Sequence, residues 1–368
     1  MKLIYCTSIA LSNKLANRAQ VYSMAKQFQK KMGEFFFLGV NYTNIDDRKL
    51  NIICFNNRKS YILAWKYIKF IKNNKIDYIY CREARLLFFI ILYSKLFLRF
   101  KLIFTYEVHS FFQRNMIDEL VDRFLSRYVN NFIFVTKNLA DRYIIKYSIS
   151  KNKTLVSPDG VDLEIFNINL SKEGARKKLG LPFDKKIIIY TGKFKTMGMD
   201  KGINDILKVL KIINDNNLLF VAVGGSKNEL DYYNKLANQL NTQEKVKLFG
   251  MTTQDNLAIY QKAADALLMP FPHNTHYAYY MSPLKMFEYM ASKQPIIASD
   301  LPSIREVLNK NNSIIVKPER PDELAKGVKI ALEDKNLVKK ITEQAFQDVG
   351  RYTWKIRVED ILEFIKCV

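Results

Sequence analysis

The chain has 368 residues, of which 48% are hydrophobic and 26% are charged, and its 58 Lys and Arg against 36 Asp and Glu give a formal net charge of +22. This hydrophobic content excludes an intrinsically disordered chain, and 13 Gly and 9 Pro are too few for a collagen-like or low-complexity chain. At roughly 150 residues per domain, the length predicts two or three domains, each able to bury its own core.

The positive charge is concentrated near the start of the chain. Residues 1–100 hold 18 Lys and Arg against 5 Asp and Glu, a net of +13. This asymmetry is typical of a protein with a polyanionic partner, either nucleic acid or an anionic membrane. The alternative is a composition bias with a solvated basic face. No recognisable nucleic-acid motif accompanies the charge, so we expect no nucleic-acid partner.

The cysteines and apolar runs narrow the class of protein further. Neither zinc-site spacing nor a Cys-x-x-Cys pair occurs among Cys6, Cys54, Cys81 and Cys367, so we expect no metal and a reducing compartment. No apolar run reaches the roughly 18 residues that a membrane span needs. The opening run Leu3–Leu11 predicts a buried strand rather than a signal peptide, because no small-residue cleavage site follows it.

The first half of the chain alternates strand and helix patterns. The predicted strands are Leu3–Ser8, Phe35–Val40, Ile52–Phe55, Tyr78–Cys81, Leu102–Tyr106, Phe132–Val135 and Thr154–Ser157. The predicted helices are Ala19–Lys31, Tyr61–Lys72, the apolar Ala84–Phe100 and Leu139–Tyr147.

A second alternating series follows a junction near Ser157–Leu179. Its predicted strands are Lys186–Thr191, Leu218–Val223, Val246–Phe249, Ala266–Met269 and Pro295–Ser299. Its predicted helices are Ile203–Asn214, Glu229–Leu240, Asn256–Ala263 and Pro283–Ser292, with a terminal amphipathic helix at Tyr352–Ile365. Strands alternating with helices of about 10–15 residues predict an α/β fold of parallel sheets. Two such series predict two doubly wound, Rossmann-like domains facing each other.

The segment Tyr280–Glu306 carries the richest chemical signal. Ser282 before Pro283 predicts a helix N-cap with proline at the first helical position, so backbone amides of residues 283–285 would offer a phosphate site at the positive end of the helix dipole. Glu288, roughly one and a half turns deeper, could accept hydrogen bonds from a ribose diol. The alternative is an ordinary capped helix with a surface glutamate.

The segment Tyr190–Gly202 ends a predicted strand with Gly192 and Lys193 and opens a helix after Lys201. Lysines at the carboxyl end of a parallel strand lie where doubly wound sheets bind ligands, and they could neutralise a departing diphosphate. The spacing is not that of a P-loop. The alternative is a basic surface loop.

Two further strand ends carry candidate residues. His109 follows a buried-looking strand, and Glu107 lies on the same face if that strand continues. A histidine there could hydrogen-bond a sugar or a phosphate, and the alternative is a structural histidine with satisfied hydrogen bonds. Gly250 and Met251 also end a strand, where a backbone turn could hold the edge of a base, although this motif is weak by itself.

In this order, the motifs resemble family 4 of the retaining nucleotide-sugar glycosyltransferases, which have the GT-B fold. The resemblance covers nearly the whole chain, and its most specific stretch is SPLKMFEYMASKQPIIASDLPSIREV. Support comes from NRAQVYSMAKQF, YEVHS, SPDGVDLEIF, YTGKF…KG, LFGMTTQDNLAIYQKAADALLMPF and YTWKIRVEDIL. The start of the chain and the YEVHS form look most similar to members that build capsular or other surface polysaccharides.

The resemblance implies an acceptor-side domain over residues 1–165, a nucleotide-sugar domain over residues 166–350, and a C-terminal helix over residues 351–368 that packs back on the first domain across a cleft between the two. It implies that Lys193 and Lys201 hold the diphosphate, and that the catalytic residues are His109, Glu288 and Lys201. The other substrate-binding positions that we assign are Glu107, Gly192, Gly250, Met251, Tyr280, Ser282, Pro283, Leu284 and Lys285.

The chain departs from the family pattern at several positions. The family often has two glutamates eight positions apart; here Tyr280 stands at the first and Glu288 at the second. Lys193 occupies a place often held by Arg, and a lysine cannot bind phosphate in the bidentate geometry of an arginine. Asp159 replaces a frequent Asn, and we expect no consequence from this change. Because no Asp-x-Asp motif occurs, we expect a transfer without metal or other cofactor, with lysines and a helix dipole in place of the cation.

The function implied is a retaining glycosyltransferase that moves a sugar from a nucleotide-diphosphate sugar to a lipid-linked or growing polysaccharide acceptor, at the cytosolic face of the cytoplasmic membrane. The alternatives are a basic, membrane-associated binding module with a decayed sugar site, and a sugar-nucleotide epimerase of similar fold. The helix Tyr61–Lys72, with Trp65, Tyr67 and Phe70 among its lysines, suits peripheral docking on anionic lipid. The apolar run Leu86–Phe100 is expected to be a core helix.

Overall fold

A computed structural model describes residues 2–10, 16–40, 50–111 and 115–367, which form two compact units. The first unit comprises Met1–Asp159, Tyr279–Met281 and Trp354–Val368, and the second comprises Gly160–Ala278 and Ser282–Thr353. The division between the units therefore falls at Asp159, and the C-terminal helix belongs to the first unit.

The first unit is built on a parallel sheet of seven strands in the order β3-β2-β1-β4-β5-β6-β7. In chain order these strands are β1 (Leu3–Ala10), β2 (Phe35–Val40), β3 (Ile52–Phe55), β4 (Tyr78–Cys81), β5 (Ile103–Val108), β6 (Asn131–Phe134) and β7 (Thr154–Val156). Its helices before the junction are α1 (Ala16–Lys31), α2 (Ser60–Asn74), α3 (Ala84–Phe97), α4 (Met116–Tyr128) and α5 (Lys137–Tyr147), followed by a 3₁₀ turn at Lys151–Lys153.

Alternate residues of the strands face two different helix layers, as the two-residue period of a strand requires. Ile4 and Cys6 belong to the core cluster that also contains the buried residues of α2, α3 and α5. Tyr5, between them, packs instead against Phe28 of α1 and Phe37 of β2. The sheet is therefore covered on both faces, as a parallel sheet requires.

The second unit contains a parallel six-stranded sheet in the order β12-β11-β8-β13-β14-β15 and a two-stranded antiparallel hairpin, β9–β10. The strands are β8 (Lys186–Thr191), β9 (Lys195–Thr196), β10 (Met199–Asp200), β11 (Leu218–Gly225), β12 (Val246–Gly250), β13 (Ala266–Met269), β14 (Ile296–Ser299) and β15 (Ile314–Val316).

The helices of the second unit are α6 (Leu163–Phe166), α7 (Lys172–Leu179), α8 (Ile203–Ile213), α9 (Lys227–Gln239), α10 (Gln254–Ala263), α11 (Leu284–Ala291), α12 (Pro302–Arg305), α13 (Pro321–Glu333) and α14 (Lys335–Val349). Single turns of 3₁₀ and π-helix lie at Gln243–Lys245 and His276–Tyr280. The last helix, α15 (Trp354–Lys366), returns to the first unit and packs on α1.

The predicted α/β architecture of two doubly wound parallel sheets is confirmed. In each sheet the strand order reverses beside the first strand, between β1 and β4 in one and between β8 and β13 in the other. Ligands of doubly wound sheets bind at the carboxyl ends of the strands at this switch point. His109 follows β5 beside one switch point, and Gly192 and Lys193 follow β8 at the other.

The helices α2 and α3 qualify one prediction about the first unit. The core role of the apolar run is confirmed for its first part, where Leu86, Leu87 and Ile90 are fully buried. It is wrong for the last part, because Leu96, Phe97 and Phe100 are exposed and α3 ends at Phe97. Tyr67 of the basic helix is also fully buried, and its hydroxyl donates to the Thr7 carbonyl at 2.8 Å. The expectation that Tyr67 contributes to a lipid-facing surface is therefore wrong. None of the described helices has the length and apolar character that crossing a bilayer requires.

Candidate functional site

The carboxyl end of β8 forms the centre of the candidate donor site in the second unit. Gly192 has a φ of +106°, and its amide donates to the Val223 carbonyl at 2.8 Å. A Cβ at this position would lie 3.3 Å from Cε of Lys285. Glycine therefore provides both the left-handed turn and the room for a lysine side chain beside it.

Gly202 brings the start of α8 against the end of β13. Its φ is +94°, and an added Cβ would lie 1.9 Å from the Pro270 carbonyl oxygen, so only glycine fits. The neighbouring Lys201 amide donates to the Phe194 carbonyl at 3.1 Å. Burial, with the nearby charge of Lys193, lowers the pKa of Lys201 to about 8. The carboxylate of Glu229 acts in the opposite direction and offsets this lowering only in part.

Helix α11 begins one residue later than predicted. The expectation of Ser282 as N-cap and Pro283 as the first helical residue is wrong, because Pro283 is the extended N-cap, with φ −77° and ψ 124°. Its carbonyl accepts from the Met286 amide at 2.9 Å. Proline has no N–H, so the first-turn amides that have no partner within the helix are those of Leu284 and Lys285, and no other described residue accepts from them.

Glu288 is a buried residue, 7% exposed, and not a surface glutamate. Its Oε2 accepts from Nε2 of Gln261 at 3.2 Å, and the same nitrogen donates to Oγ1 of Thr191 at 3.1 Å. Burial raises the pKa of Glu288 to about 7, although Gln261 and Lys285 act in the opposite direction. The Gln261 amide thus connects the carboxyl group to Thr191, the last residue of β8.

Two further side chains of α11 reach the same strand end. The Tyr289 hydroxyl accepts from the Thr191 amide at 2.8 Å, and the Lys285 ammonium nitrogen lies 3.3 Å from the centroid of the Tyr190 ring. The structure therefore brings Gly192, Lys285 and Glu288 together as the sequence predicted.

The other predicted donor-site residues lie further out. Gly250 ends β12 and pairs with Gly225 of β11, which separates it from β8. Met251 follows with 56% of its surface exposed, and Ser282 is partly buried. A role for Gly250 and Met251 in holding a base stays a prediction.

A buried network surrounds His109 in the first unit. The Glu107 carboxyl is fully buried, with Oε1 2.9 Å from Nε2 of His109 and 2.7 Å from an Nη of Arg357 on α15. Arg357 also donates to the Pro158 carbonyl at 2.8 Å. Burial raises the pKa of Glu107, but Arg357 and His109 outweigh it and hold this pKa well below its usual range. Glu107 is therefore a carboxylate bonded to His109.

Gln20 of α1 joins the remaining polar groups of this network. Its amide nitrogen donates to Asp159 at 2.6 Å and lies 3.3 Å from Nε2 of His109, and its carbonyl oxygen accepts from Arg82 at 2.6 Å. Asp159, which we expected to be without consequence, is 6% exposed and part of the network. Glu107, His109 and Asp159 place ligand atoms within 4.8 Å of one another, but Gln20 and Arg357 already bind these atoms, so they do not suggest a metal site.

Tyr280 belongs to the first unit, whereas Ser282 and the residues of α11 belong to the second. It is 1% exposed, and its ring centroid lies 6.3 Å from that of Phe111 and 5.7 Å from the Arg142 guanidinium. These three residues and Tyr279 line a pocket of about 510 Å³ that α5 completes. Phe111 is two residues beyond His109, so this pocket opens on the segment that follows β5.

Sequence reasoning missed several residues of both sites. Arg357 lies on the apolar face of the predicted C-terminal helix, together with Trp354, Val358 and Ile361. A lone arginine on such a face indicates a buried charge that needs an acidic partner. Gln20 and Gln261 carried no comparable signal, because a glutamine within a helical pattern is usually exposed.

Two family models match the chain: Glycosyltransferase Family 4 over residues 11–165, and Glycosyl transferases group 1 over residues 171–348. MJ1607 of Methanocaldococcus jannaschii, an uncharacterized glycosyltransferase, is 28% identical over 237 residues, which are 63% of this chain and 58% of that protein. TuaC of Bacillus subtilis, a candidate teichuronic acid biosynthesis glycosyltransferase, is 27% identical over 47% of this chain and 40% of its own. The matches thus span about half the length of these relatives.

Solved structures show the fold. Anabaena Alr3699/HepE in complex with UDP has a TM-score of 0.80 at 16% identity, covering 100% of both chains, and it has also been solved with UDP-glucose. A glycosyltransferase from Rickettsia africae has a TM-score of 0.80 at 17% identity, covering 99% of this chain and 97% of its own. These neighbours have the GT-B fold, as the sequence predicted. With both family models matched in succession, the chain belongs to glycosyltransferase family 4.

Proposed function

We propose that the protein is a retaining glycosyltransferase that transfers a sugar from a nucleotide-diphosphate sugar to a lipid-linked or growing polysaccharide acceptor. The observation that carries the proposal is the grouping of Lys201, Lys285 and Glu288 around the turn that follows β8. HepE, which shares the fold, binds UDP and UDP-glucose, and this supports a nucleotide-sugar donor.

Each donor-site residue has a role that its chemistry supports. Lys193 and Lys201 bind the diphosphate, together with the free amides at the start of α11. Glu288, when ionised, accepts hydrogen bonds from both ribose hydroxyls, since a carboxylate offers several acceptor positions. The turn at Gly250 and Met251 holds the edge of the base.

The proposed mechanism needs no protein nucleophile. The acceptor attacks on the face from which the diphosphate departs, so the anomeric configuration is retained. Lysines and the helix N-terminus stabilise the charge that develops on the departing diphosphate, in place of a metal cation. His109 contacts the transferred sugar, and Glu107 fixes the orientation of its imidazole.

The acceptor is proposed to bind in the first unit. The pocket lined by Phe111, Tyr279 and Tyr280 presents aromatic rings, whose faces suit the apolar faces of sugars. The name of TuaC supports a surface polysaccharide as the acceptor class.

A surface of the first unit supports peripheral attachment to the inner face of the cytoplasmic membrane. Helices α2, α3 and α4 pack side by side. Exposed apolar residues lie on them and on the segment after α3, namely Tyr61, Trp65, Leu96, Phe97, Phe100, Met116, Ile117 and Leu120. Exposed cations lie on the same helices and the segment after α3, namely Lys69, Lys72, Arg85, Lys95, Arg99 and Lys101. Apolar side chains among cations suit an anionic lipid interface, where each cation contributes about 1 kcal/mol.

Flotation on vesicles tests this attachment. We expect the protein to float with vesicles of anionic lipid and not with neutral ones, and Ile117→Glu with Leu120→Glu should weaken binding about tenfold or more, because both side chains are over 60% exposed. Ile212→Glu, at an exposed position of the second unit, is the matched control and should bind as the wild type does. Equal binding to both vesicle types, or binding to neither, would mean that the positive charge reflects composition bias and not membrane attachment.

Thermal-shift screening against nucleotide sugars and free nucleotides tests the donor site. A ligand at one hundred times its Kd stabilises the native state by about 2.7 kcal/mol, so a specific donor should raise Tm measurably. No shift with any compound would favour the non-catalytic binding module. Formation of an epimerised nucleotide sugar without acceptor, followed by NMR, would favour the epimerase.

A further inference from the structure

Lys285 is a buried lysine whose ammonium nitrogen packs against aromatic rings. Its side chain is 7% exposed, and its ammonium nitrogen lies 3.3 Å from the Tyr190 ring centroid and 5.6 Å from that of Phe271. Among the residues that the structure describes, nothing accepts a hydrogen bond from this nitrogen. An ammonium group has three donors, so all three are unsatisfied by the protein.

The position of this nitrogen connects it to the turn that follows β8. A Cβ on Gly192 would lie 3.4 Å from it, which places the lysine tip directly against the Gly192 backbone. Any side chain at position 192 would press on the lysine. The ammonium group of Lys285, on α11, therefore lies next to the backbone of the turn that follows β8.

Lys201 and Glu288 are the charged groups that act on Lys285, and together they favour binding of an anion. Lys201, from the segment before α8, repels it, and Glu288, one turn further along α11, attracts it. Burial and Lys201 together hold the pKa of Lys285 well below its usual range, and Glu288 offsets this only in part. If both lysines were charged, they would face a carboxyl that is about half-protonated near neutral pH, and the positive charge would be in excess.

We propose that Lys285 is a third lysine of the donor diphosphate site, beside Lys193 and Lys201, and that it takes up a proton from solvent when the diphosphate binds. This inference rests on the proposed function and goes beyond it, since it makes donor binding a proton-linked event. In the free protein, burial and the charge of Lys201 favour the neutral amine, which avoids burying a second cation beside Lys201. A diphosphate supplies the missing negative charge and restores the ammonium form.

Calorimetric titration with UDP and with GDP, in buffers of different ionisation enthalpy, measures this proton uptake. At about pH 8.5 Glu288 is already ionised in the free protein, and the difference in uptake between the wild type and Lys285→Met reports the lysine. We expect the wild type to take up protons, and Lys285→Met to take up fewer and to bind about tenfold or more weakly. Lys293→Met, on an exposed lysine just beyond α11 that lies over the Phe346 ring, is the matched control and should match the wild type.

Stability separates a binding role from a structural one. Methionine has nearly the shape of lysine without its amine, so Lys285→Met should leave the Tm of the free protein unchanged or raise it. A lysine needed for the fold would give a lower Tm instead. Wild-type affinity and proton uptake in Lys285→Met would overturn the proposal for this residue and leave the proposed function standing. A wild-type protein that binds neither nucleotide would overturn both.

Discussion

Replacing Glu288 with alanine should reduce sugar transfer by about a thousandfold or more while the protein stays folded. The carboxyl group is buried at the end of β8 and is held by Gln261, so its loss removes the acceptor that we assign to the ribose hydroxyls. Because a ribose-binding group acts on donor affinity, nucleotide binding by calorimetry should weaken along with the transfer rate. Lys201→Ala should have a comparable effect through the diphosphate.

The control for this prediction is Glu288→Gln, which keeps the shape of the side chain. The pKa of Glu288 is raised to about 7 in the folded protein, so its ionisation costs stability as the pH rises through that value. Glu288→Gln should therefore be more stable than the wild type at about pH 8, by on the order of 1–3 kcal/mol, and not at pH 5.

Wild-type turnover in both Glu288→Ala and Lys201→Ala would contradict the assignment of the site.

Replacing Arg357 with methionine should destabilise the protein by about 3–5 kcal/mol, because the buried Glu107 carboxylate would lose its main partner. Denaturant unfolding followed by near-UV circular dichroism measures the change. The double variant Arg357→Met with Glu107→Gln should recover most of this loss, since both charges are then absent. It should not recover transfer, because His109 would still lack the carboxylate that orients it.

The pH dependence of this destabilisation has a defined sign. In the wild type the pKa of Glu107 is depressed, so its ionised form contributes stability at neutral pH, and this contribution is lost only as the pH falls through the depressed value. Without Arg357, burial raises this pKa, and protonation relieves the unpaired charge. The difference between wild type and variant should therefore be largest near pH 7 and shrink toward pH 4. A difference that does not vary with pH would mean that Arg357 acts through packing alone.

Much of the fold could be predicted because periodicity and strand composition are local properties of the sequence. Strands such as Phe35–Val40 and Tyr78–Cys81 have the predicted bounds, since buried parallel strands are short, continuous apolar runs. Helix α4 was missed, although Asn115 caps it by accepting from the Asp118 amide and acidic residues occupy its first turn. Helices α13 and α14 were not predicted either, although α13 has proline, Pro321, as its first residue and α14 follows the Asp334 cap.

The candidate site could be predicted only where its functional residues lie close together in the sequence and form a motif. Gly192, Lys193 and Lys201 lie within one strand end and its loop, and Glu288 lies on a motif of high specificity. The network around His109 and Glu107 also draws on distant elements, since Gln20 precedes His109 by 89 residues and Arg357 lies 250 residues beyond Glu107. Such long-range pairs follow from the strand order and the return of α15, which local patterns do not encode.

Hydrogen–deuterium exchange with and without a nucleotide sugar tests the central claim most directly, since it locates the donor on the chain. The ligand is the nucleotide sugar that gives the largest thermal shift. We predict that protection concentrates at the turn and hairpin of residues 191–202 and at the start of α11, residues 282–289, and that Glu288→Ala abolishes it. Protection confined to the first unit, or protection that persists in Glu288→Ala, would contradict the account.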